Sequence, residues 1–372
     1  LRGQAKTRIL RSLVRFLDER IPAIEGTDLN EDPFAPITAQ GKVIISDNGD
    51  DTPIRWIARA ERYQEKLATP DVTIADLIGD VDPIKAATER LSYSDPRVIH
   101  YGIVPRTNRG IFAINEVPDL SPRIQVGLLN ILEENDFQIR GFPLRIPLDM
   151  CMVFSANPED YTNRGNIISP LKDRIDSQII THYPLDMENA LSITRQEAWE
   201  DRKSFATIRI PEYFRELIED VAFEARKSEF VDQKSGVSAR MTIALIENVI
   251  SNAERRCLIQ GKSVTSPRLS DLHQALPAIT GKLELVYEGE LEGPALVARK
   301  IIGQAVRRNF RRYFPKPDVK VSDEKGTEEV PEMKSVYSSI VSWFAQGNTV
   351  ETTDYQSDIE RLEQLSQVSG LK

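Results

Sequence analysis

Two short apolar runs, each closed by polar residues, constrain the fold of this chain most strongly. Residues 111–114 (Ile-Phe-Ala-Ile) and 151–154 (Cys-Met-Val-Phe) have the length and composition of buried parallel strands. The stretch 121–134 between them has helical periodicity, and Ser121-Pro122 supplies an N-cap and first-turn pair. This order predicts an α/β fold with a parallel sheet flanked by helices.

The α/β layer is expected to extend over residues 1–184. Apolar residues at helical spacing in 6–17 predict a helix that buries one face, and residues 175–183 predict a further strand. Residues 26–55, rich in Asp, Pro and Gly, are expected to form a surface insertion or linker.

A helical domain is predicted for residues 185–314, followed by a linker and C-terminal segment of unassigned role, 315–372. From Pro211 onward strand patterns nearly vanish, and Gly or Pro separates segments with helical periodicity. These segments are 211–228, 240–258, 269–279 and 294–313, with shorter amphipathic stretches at 336–344 and 359–365.

Composition excludes several classes of protein. The 372 residues exceed what one core usually organises, and the net charge of −9 argues against wholesale adsorption to nucleic acid or anionic membrane. Cys151, in a predicted buried strand, and Cys257, in a predicted helix, are too few for a disulfide framework and fit a reducing cytoplasm. Three scattered histidines argue against a structural zinc site, and no apolar run is long enough to span a membrane.

The first seven residues, Leu-Arg-Gly-Gln-Ala-Lys-Thr, match the end of a phosphate-binding loop. Such a loop needs glycines so that backbone N–H groups curl round phosphate, then a Lys for the β and γ groups, then a hydroxyl for Mg²⁺. Gly3, Lys6 and Thr7 satisfy this, but Ala5 stands where the second Gly is expected, and the first Gly would precede residue 1. On this motif alone, an ordinary helix start is the simpler interpretation.

A carboxylate, Glu116, follows the first apolar strand. ATP hydrolysis needs a group that orients or deprotonates the attacking water, and the carboxyl end of a strand beside a phosphate loop can provide it. Glu116 is therefore the candidate catalytic residue. A solvated carboxylate at a strand end is the alternative.

Two further polar residues follow in order. Asn157 ends the second strand in a neutral amide, which can hold the nucleophilic water without competing for its proton. Arg174 follows a turn, where a guanidinium can project to the γ-phosphate of a neighbouring subunit and stabilise transition-state charge. A surface salt bridge of Arg174 with Asp173 or Asp176 is the alternative.

The order of these elements over residues 1–280 resembles that of AAA+ ATPases, and most closely the magnesium chelatase ATPase subunit and the MoxR-like ATPases. In that group a β-hairpin follows the helix after the hydrolytic strand, and residues 137–148 alternate apolar and polar residues about Gly141 in that position. The resemblance implies a P-loop AAA+ core with a β-hairpin insert and a helical lid domain. Its first strand would precede residue 1.

The resemblance implies ATP and Mg²⁺ as cofactors. Gly3, Gln4 and Ala5 would line the phosphate loop, with Lys6 on the phosphates and Thr7 on Mg²⁺.

It also implies the catalytic roles. Glu116 would stand at the hydrolytic position, Asn157 would be the polar sensor and Arg174 the finger that acts in the neighbouring subunit. Arg240 would be a second sensor that reaches the nucleotide from the lid, on a helix capped by Ser238.

Two departures from the family's pattern affect the loop and the metal. If position 5 needs a positive φ, the Cβ of Ala5 introduces strain of about 1 kcal/mol. Asn115 replaces the Asp that supports Mg²⁺ in the family, so that an amide oxygen must serve beside Thr7 and Glu116. We therefore expect turnover to be affected more than nucleotide binding.

The resemblance further implies a homo-oligomer, a hexameric ring that couples ATP hydrolysis to remodelling of a partner protein or to metal insertion. Relatives often act with a protein that carries a von Willebrand A domain. The alternatives are a nucleotide-gated scaffold with little hydrolysis, because of Asn115 and Ala5, and a structural or DNA-binding protein that keeps only the fold.

Neither a nucleic-acid surface nor a sigma-factor contact is favoured. The basic helical stretch around 307–312 is more typical of a solvated face. The Gly-Ala-Phe-Thr-Gly-Ala loop of sigma-factor-dependent activators does not occur in the sequence.

Overall fold

The computed structural model describes residues 3–92, 95–139, 145–157, 165–202, 204–315, 337–353 and 355–371. The chain divides into two compact units, Gly3–Thr181 and His182–Lys372. The first unit mixes strands and helices, whereas the second is mostly helical.

The elements of the first unit are as follows. The strands are β1 (Arg20–Ile24), β2 (Ile54–Ala58), β3 (Tyr63–Leu67), β4 (Gly79–Val81), β5 (Ile99–Tyr101), β6 (Gly110–Asn115), β7 (Asp136–Gln138), β8 (Arg145–Pro147) and β9 (Met150–Phe154). The helices are α1 (Lys6–Ser12), α2 (Ala39–Asn48), α3 (Ile74–Leu77), α4 (Pro83–Thr88), α5 (Ile103–Arg106), α6 (Pro122–Gly127), α7 (Leu129–Glu134) and α8 (Ser169–Asp173).

The central sheet is parallel and has the order β3-β6-β9. Tyr63 and Cys151 lie opposite Ile111 on the two sides of β6. Every residue of β6 is buried, and Phe112 and Ile114 belong to the main hydrophobic core of this unit. Because side chains alternate along a strand, the odd-numbered residues of β6 point to the opposite face. The predicted α/β fold with a parallel sheet flanked by helices is confirmed.

The strands of the predicted β-hairpin are also confirmed. β7 pairs with β8 in antiparallel orientation, with Phe137 opposite Ile146, and both side chains are buried. The predicted turn around Gly141 lies outside the described residues, which omit 140–144.

The sheet ends at β9, and this corrects two predictions. β9 is only partly buried and Cys151 is exposed, because β6 is its one paired neighbour among the described strands. Residues 175–183 do not form a strand, and Ile179 and Ile180 are 85% and 82% exposed. A strand needs a neighbour for its backbone groups, and the described part of the chain offers this segment none.

Two predicted helices in this unit are shorter than expected. The helix predicted for 6–17 continues as a 3-10 helix after Ser12, and none of its residues is fully buried. The helix predicted for 121–134 divides at Leu128 into α6 and α7. Ser121 is the N-cap residue of α6 without a side-chain hydrogen bond, while Pro122 occupies the first turn as predicted.

Residues 27–41 of the segment 26–55 fold against this unit, whereas 42–55 are mostly exposed, so that of the two alternatives the segment is a surface insertion and not a linker. The segment includes α2 and the start of β2, which pairs with β1 in antiparallel orientation. Glu31 is fully buried and accepts hydrogen bonds from the backbone N–H groups of Ile37 (2.7 Å) and Thr38 (2.8 Å). The Asp, Pro and Gly residues of this segment therefore mark turns within a folded region.

The second unit confirms the predicted helices. Its helices are α9 (Met187–Glu197), α10 (Glu212–Ala225), α11 (Arg240–Gln260), α12 (Leu269–Gln274), α13 (Leu276–Thr280), α14 (Tyr287–Glu292), α15 (Pro294–Tyr313), α16 (Ser338–Ala345) and α17 (Asp358–Leu365). The stretch 269–279 divides into two helices, and the short strands β10 (Thr207–Ile208) and β11 (Val264–Thr265) form a parallel pair. The predicted linker lies mostly outside the described residues, which omit 316–336.

The C-terminal segment packs on the helical unit. Arg268 forms an ion pair with Asp358 at 2.6 Å, and the side-chain amide of Gln260 donates to the carbonyl of Gln356 at 2.7 Å. The start of α17 is therefore held near the end of α11.

Part of the basic surface of α15 is used within this unit. Arg308 Nε lies 3.1 Å from Asp220 Oδ1, and Arg312 Nη1 lies 2.6 Å from Glu216 Oε2. Both acidic residues belong to α10, and Asp220 is fully buried. The side chains of Arg308 and Arg312 remain 38% and 34% exposed, as expected for a solvated face, and their ion pairs also hold α15 against α10.

A buried carboxylate, Glu219, joins three helices of the second unit. It lies on α10, is 2% exposed and accepts a hydrogen bond from the hydroxyl of Thr194 on α9. The Thr194 hydroxyl also lies 3.1 Å from that of Thr242 on α11. Burial raises the pKa of Glu219 to about 7, although its hydrogen bonds and Arg226 act in the opposite direction.

This raised pKa predicts a pH-dependent stability. The unfolded chain releases the Glu219 proton near its usual pKa of 4.5, whereas the folded chain keeps it until about 7. The free energy of unfolding should therefore decrease as pH rises through this window. Glu219→Gln should remove that decrease and be more stable than the parent by about 1–3 kcal/mol at pH 7.5 but not at pH 4.5.

Urea unfolding at these two pH values measures the effect, with Glu188→Gln, at an exposed position of α9, as control. An equal difference between parent and Glu219→Gln at both pH values would contradict the assignment.

Candidate functional site

The N-terminal loop has the backbone conformation of a phosphate cradle. Gly3 and Ala5 both have positive φ, 65° and 58°, and α1 begins at the next residue, Lys6. Left-handed residues within such a turn direct successive N–H groups to one side, which creates an anion-binding concavity. Ala5 therefore has the positive φ for which backbone strain is expected, because its Cβ occupies the left-handed region.

Lys6 extends from this loop to the end of β9. Its Nζ donates to the carbonyl oxygen of Ala156 at 2.9 Å. Asn157, the next residue, is 2% exposed. The loop lysine and Ala156, which precedes the predicted sensor Asn157, are 150 positions apart in the sequence and are thus neighbours in space.

Gln4 supplies a buried donor at the same loop. Its Oε1 accepts a hydrogen bond of 2.6 Å from the hydroxyl of Thr181, which fixes the amide orientation. Its Nε2 is buried and has no hydrogen-bond partner among the described residues. A buried donor without a partner costs free energy, so an anion in the loop would offset that cost.

Ser155 joins the ends of β6 and β9. Its hydroxyl donates to Oδ1 of Asn115 at 3.1 Å and accepts from the backbone N–H of Glu116 at 3.3 Å. Its carbonyl oxygen accepts from the N–H of Val117 at 3.0 Å. Ser155 is the first polar residue after the apolar strand, but nothing in the sequence pattern distinguishes it from an ordinary strand end.

Glu116 has an unusual backbone conformation. It follows β6 with φ 57° and ψ 50°, the left-handed region, and its side chain is half-buried. For a residue other than Gly, this conformation costs on the order of 1 kcal/mol or more, and such strain is concentrated at functional sites. The Lys6 ammonium, the Asn115 amide and the backbone N–H of Glu116 all contact residues 155–156, and Asn157 is the next residue of the chain.

Arg174 lies in the same unit and forms an ion pair, but not with the partners considered from sequence. Its guanidinium binds Glu133 of α7, with Nε 2.9 Å and Nη2 2.5 Å from Oε2, and donates to the carbonyl of Pro170 at 3.1 Å. The alternative of a salt bridge is therefore met with Glu133 and not with Asp173 or Asp176. Its action in a neighbouring subunit remains a prediction.

Arg240 belongs to the second unit. It is exposed and begins α11, and its backbone N–H donates to the hydroxyl of Ser238 at 3.1 Å. The N-cap residue of α11 is Ala239 and has no side-chain cap hydrogen bond, so the prediction that Ser238 is the cap is wrong by one position. The sensor role of Arg240 remains a prediction.

The residues at this site fit a Mg²⁺ ion that takes part of its ligands from water and phosphate oxygens. Among the described residues, no group of three or more His, Cys, Asp or Glu side chains could hold a metal ion. Mg²⁺ in nucleotide sites uses one or two protein ligands together with water and phosphate oxygens, so a full protein cage is not required. Thr7, in the first turn of α1, and Asn115 offer a hydroxyl and an amide oxygen of this kind.

The left-handed conformation of Ala5 predicts the effect of one substitution. Ala5→Gly removes the clash of Cβ and should raise the free energy of unfolding by about 1 kcal/mol. Ala87→Gly, at an exposed position inside α4, should lower it by about 0.5–1 kcal/mol instead. Urea unfolding of the two variants measures both effects, and changes of the same sign would show that position 5 is not left-handed in solution.

No helix among the described residues is both long enough and apolar enough to cross a lipid bilayer.

The chain has limited sequence similarity to known proteins. No protein-family model matches it. A stretch of 88 residues, 23% of the chain, is 33% identical to the hydrogenase transcriptional regulatory protein HoxA of Cupriavidus necator. The chain covers 18% of the length of HoxA, so the similarity concerns a small part of that protein.

Two solved structures show a loose similarity. For the complex between subunits BchI and BchD of magnesium chelatase, the TM-score is 0.39 at 19% identity over 78% of this chain and 88% of that chain. For NtrX from Brucella abortus in complex with ADP, the TM-score is 0.39 at 14% identity over 67% of this chain and 52% of that chain. Both TM-scores are low, so the function has to be argued from the residues of the chain itself.

Proposed function

We propose that the first unit binds ATP with Mg²⁺ and hydrolyses it, as an AAA+ ATPase of the magnesium chelatase and MoxR-like group. The observation that carries this proposal is the hydrogen bond from Lys6 to Ala156, which links the phosphate-type loop to the end of β9. The adjacent Ser155 holds Asn115 and Glu116 at the end of β6. Three distant stretches of sequence thus meet at one end of the sheet, and we propose that their cationic, acidic and amide side chains act together there.

In this proposal the loop binds the phosphates. The backbone N–H groups around Ala5, the ammonium of Lys6 and Nε2 of Gln4 donate to the anionic oxygens. The hydroxyl of Thr7 and the amide oxygen of Asn115 would hold Mg²⁺, which neutralises phosphate charge when bound.

Two residues act on the attacking water. Glu116 orients the water and accepts its proton, while the Asn157 amide holds it without competing for that proton. Arg174 stabilises transition-state charge in a neighbouring subunit, and Arg240 is the proposed second sensor of the nucleotide. These roles require assembly into a ring, which we propose to be hexameric.

We propose that the ring uses ATP hydrolysis to remodel a partner protein or to assist metal insertion. The partner that we propose is a protein with a von Willebrand A domain. The compartment that we propose for the protein is the cytoplasm, in keeping with two free cysteines.

A nucleotide-gated scaffold is the second candidate function. It is favoured by the amide at position 115, which brings no negative charge to a dication and whose oxygen already accepts from Ser155. Steady-state ATP turnover separates a motor from a scaffold. If the protein retained no labelled ATP in the presence of Mg²⁺, both functions would be excluded.

Lys6→Ala tests the binding step. Loss of a charge-assisted hydrogen-bond donor should weaken ATP retention by about 10- to 100-fold. Filter binding of labelled ATP measures this effect, with Lys42→Ala, at an exposed position of α2, as the control that keeps full affinity. Equal retention by both variants would show that the loop does not bind phosphate.

A further inference from the structure

A hydrogen bond between Gln4 and Thr181 joins the phosphate-type loop to the last residue of the first unit. The Thr181 hydroxyl donates to Oε1 of Gln4 at 2.6 Å, across 177 positions of sequence. Gln4 is 7% exposed and lies between Gly3 and Ala5, the two residues of the loop with positive φ. The amide therefore belongs to the loop itself, whereas the hydroxyl that holds it comes from a distant segment.

The segment that supplies this hydroxyl is otherwise exposed. Ile179 and Ile180 are 85% and 82% exposed, whereas Thr181 is half-buried. Among the described residues, the bond to Gln4 is the one hydrogen bond that residues 176–181 make with another part of the chain. The second unit begins at the next residue. The contact therefore fastens the end of the first unit to the loop.

The Thr181 hydroxyl decides which end of the Gln4 amide remains for a ligand. An amide has an accepting oxygen and a donating nitrogen. Because Oε1 is taken by Thr181, Nε2 remains, and it is buried and has no hydrogen-bond partner among the described residues. The reverse orientation would leave the amide oxygen, which repels the oxygens of an anion. Only the observed orientation therefore suits a phosphate.

We propose that Thr181 is a positioning residue of the phosphate-type loop, which holds the Gln4 amide so that Nε2 donates to a phosphate oxygen. This role rests on the proposed ATP binding. The coupling is reciprocal, because a phosphate that fixes one end of the amide also favours the bond from Thr181 at the other end. Nucleotide binding therefore restrains residues 176–181, which lead into the second unit.

Retention of labelled ATP in a substitution cycle tests the positioning role. Thr181→Val keeps the shape of the side chain but removes the hydroxyl, and it should weaken ATP retention by about threefold to tenfold. Gln4→Leu removes the donor itself and should weaken retention by about tenfold or more. In the Gln4→Leu background, Thr181→Val should cause no further loss. Thr181→Ser, which restores a hydroxyl, should bind ATP like the parent, as should the control Thr88→Val at an exposed position of α4.

The outcomes of this cycle separate the positioning role from the proposed function. Equal ATP retention by the parent and Thr181→Val would overturn the positioning role and leave the proposed function standing. An equal loss from Thr181→Val in the parental and Gln4→Leu backgrounds would overturn it too, since Thr181 would then act independently of the amide. If the parent retained no ATP, the proposed function and the positioning role would fall together.

Limited proteolysis tests the restraint on residues 176–181. Ile179 and Ile180 are exposed apolar residues in a segment without regular secondary structure, so proteinase K should cleave there, and fragment masses identify the site. ATP should slow this cleavage several-fold in the parent. In Thr181→Val it should slow the cleavage little, at ATP concentrations that saturate both proteins. Equal protection of the two proteins by ATP would overturn the reciprocal coupling.

Discussion

Glu116→Gln is expected to lower steady-state ATP turnover by about 100- to 10,000-fold while ATP is still retained. The substitution keeps the shape and the hydrogen-bonding length of the side chain but removes the group that accepts the proton of the attacking water. ATP binding depends on the loop and on Lys6, which the substitution does not touch. Phosphate release and labelled-ATP retention, measured on the same preparations, give the two quantities.

Glu134→Gln, at an exposed position at the end of α7, is the matched control and should turn over ATP at the parental rate. Glu116→Gly separates strain from chemistry, because it relieves the left-handed conformation with φ 57° and also deletes the carboxylate. That variant should unfold at a higher urea concentration and still fail to turn over ATP. Parental turnover in Glu116→Gln would show that position 116 does not act on the water.

The parts of the fold that sequence predicted best are those with strong periodicity. Residues 111–114 are apolar throughout because β6 is buried on both faces, and the long helices α10, α11 and α15 bury clear apolar stripes. Strand β3 was missed because Tyr-Gln-Glu-Lys-Leu has no apolar run. At the edge of a sheet a strand is specified by its neighbour's free backbone groups, which leave no pattern in its own residues.

The sequence predicts the motifs of the candidate site and their order along the chain, whereas the contacts between them depend on tertiary structure. Glu116 and Asn157 were identified because each ends an apolar strand. Ser155 was not, because its importance lies in which strands are adjacent, and a single sequence does not record adjacency. The left-handed φ of Ala5 does not follow from its sequence, since Ala occupies the right-handed and extended regions far more often.

Arg174→Ala is expected to leave ATP affinity largely intact and to lower turnover by about 1,000- to 100,000-fold, because an arginine finger acts on transition-state charge. Within one chain Arg174 is bound to Glu133, whose side chain is 53% exposed. An exposed ion pair of this kind contributes about 0–1 kcal/mol to stability. A phosphate oxygen of the nucleotide bound by a neighbouring subunit can therefore replace Glu133 as the partner of Arg174 at a small cost in free energy. Glu133→Ala should therefore leave turnover within a few-fold of the parental rate.

Mixing two inactive variants decides whether Arg174 acts in its own subunit or in the next. A mixed ring of Arg174→Ala and Glu116→Gln chains contains interfaces at which an intact Glu116 faces an intact Arg174, since each comes from a different chain. Turnover should then recover to roughly a quarter of the parental rate in an equal mixture, if each interface works independently. A residue that acts within its own chain gives no recovery on mixing, because every chain lacks one of the two groups. Arg123→Ala, at an exposed position of α6, should remain fully active alone and so controls for the loss of a surface arginine.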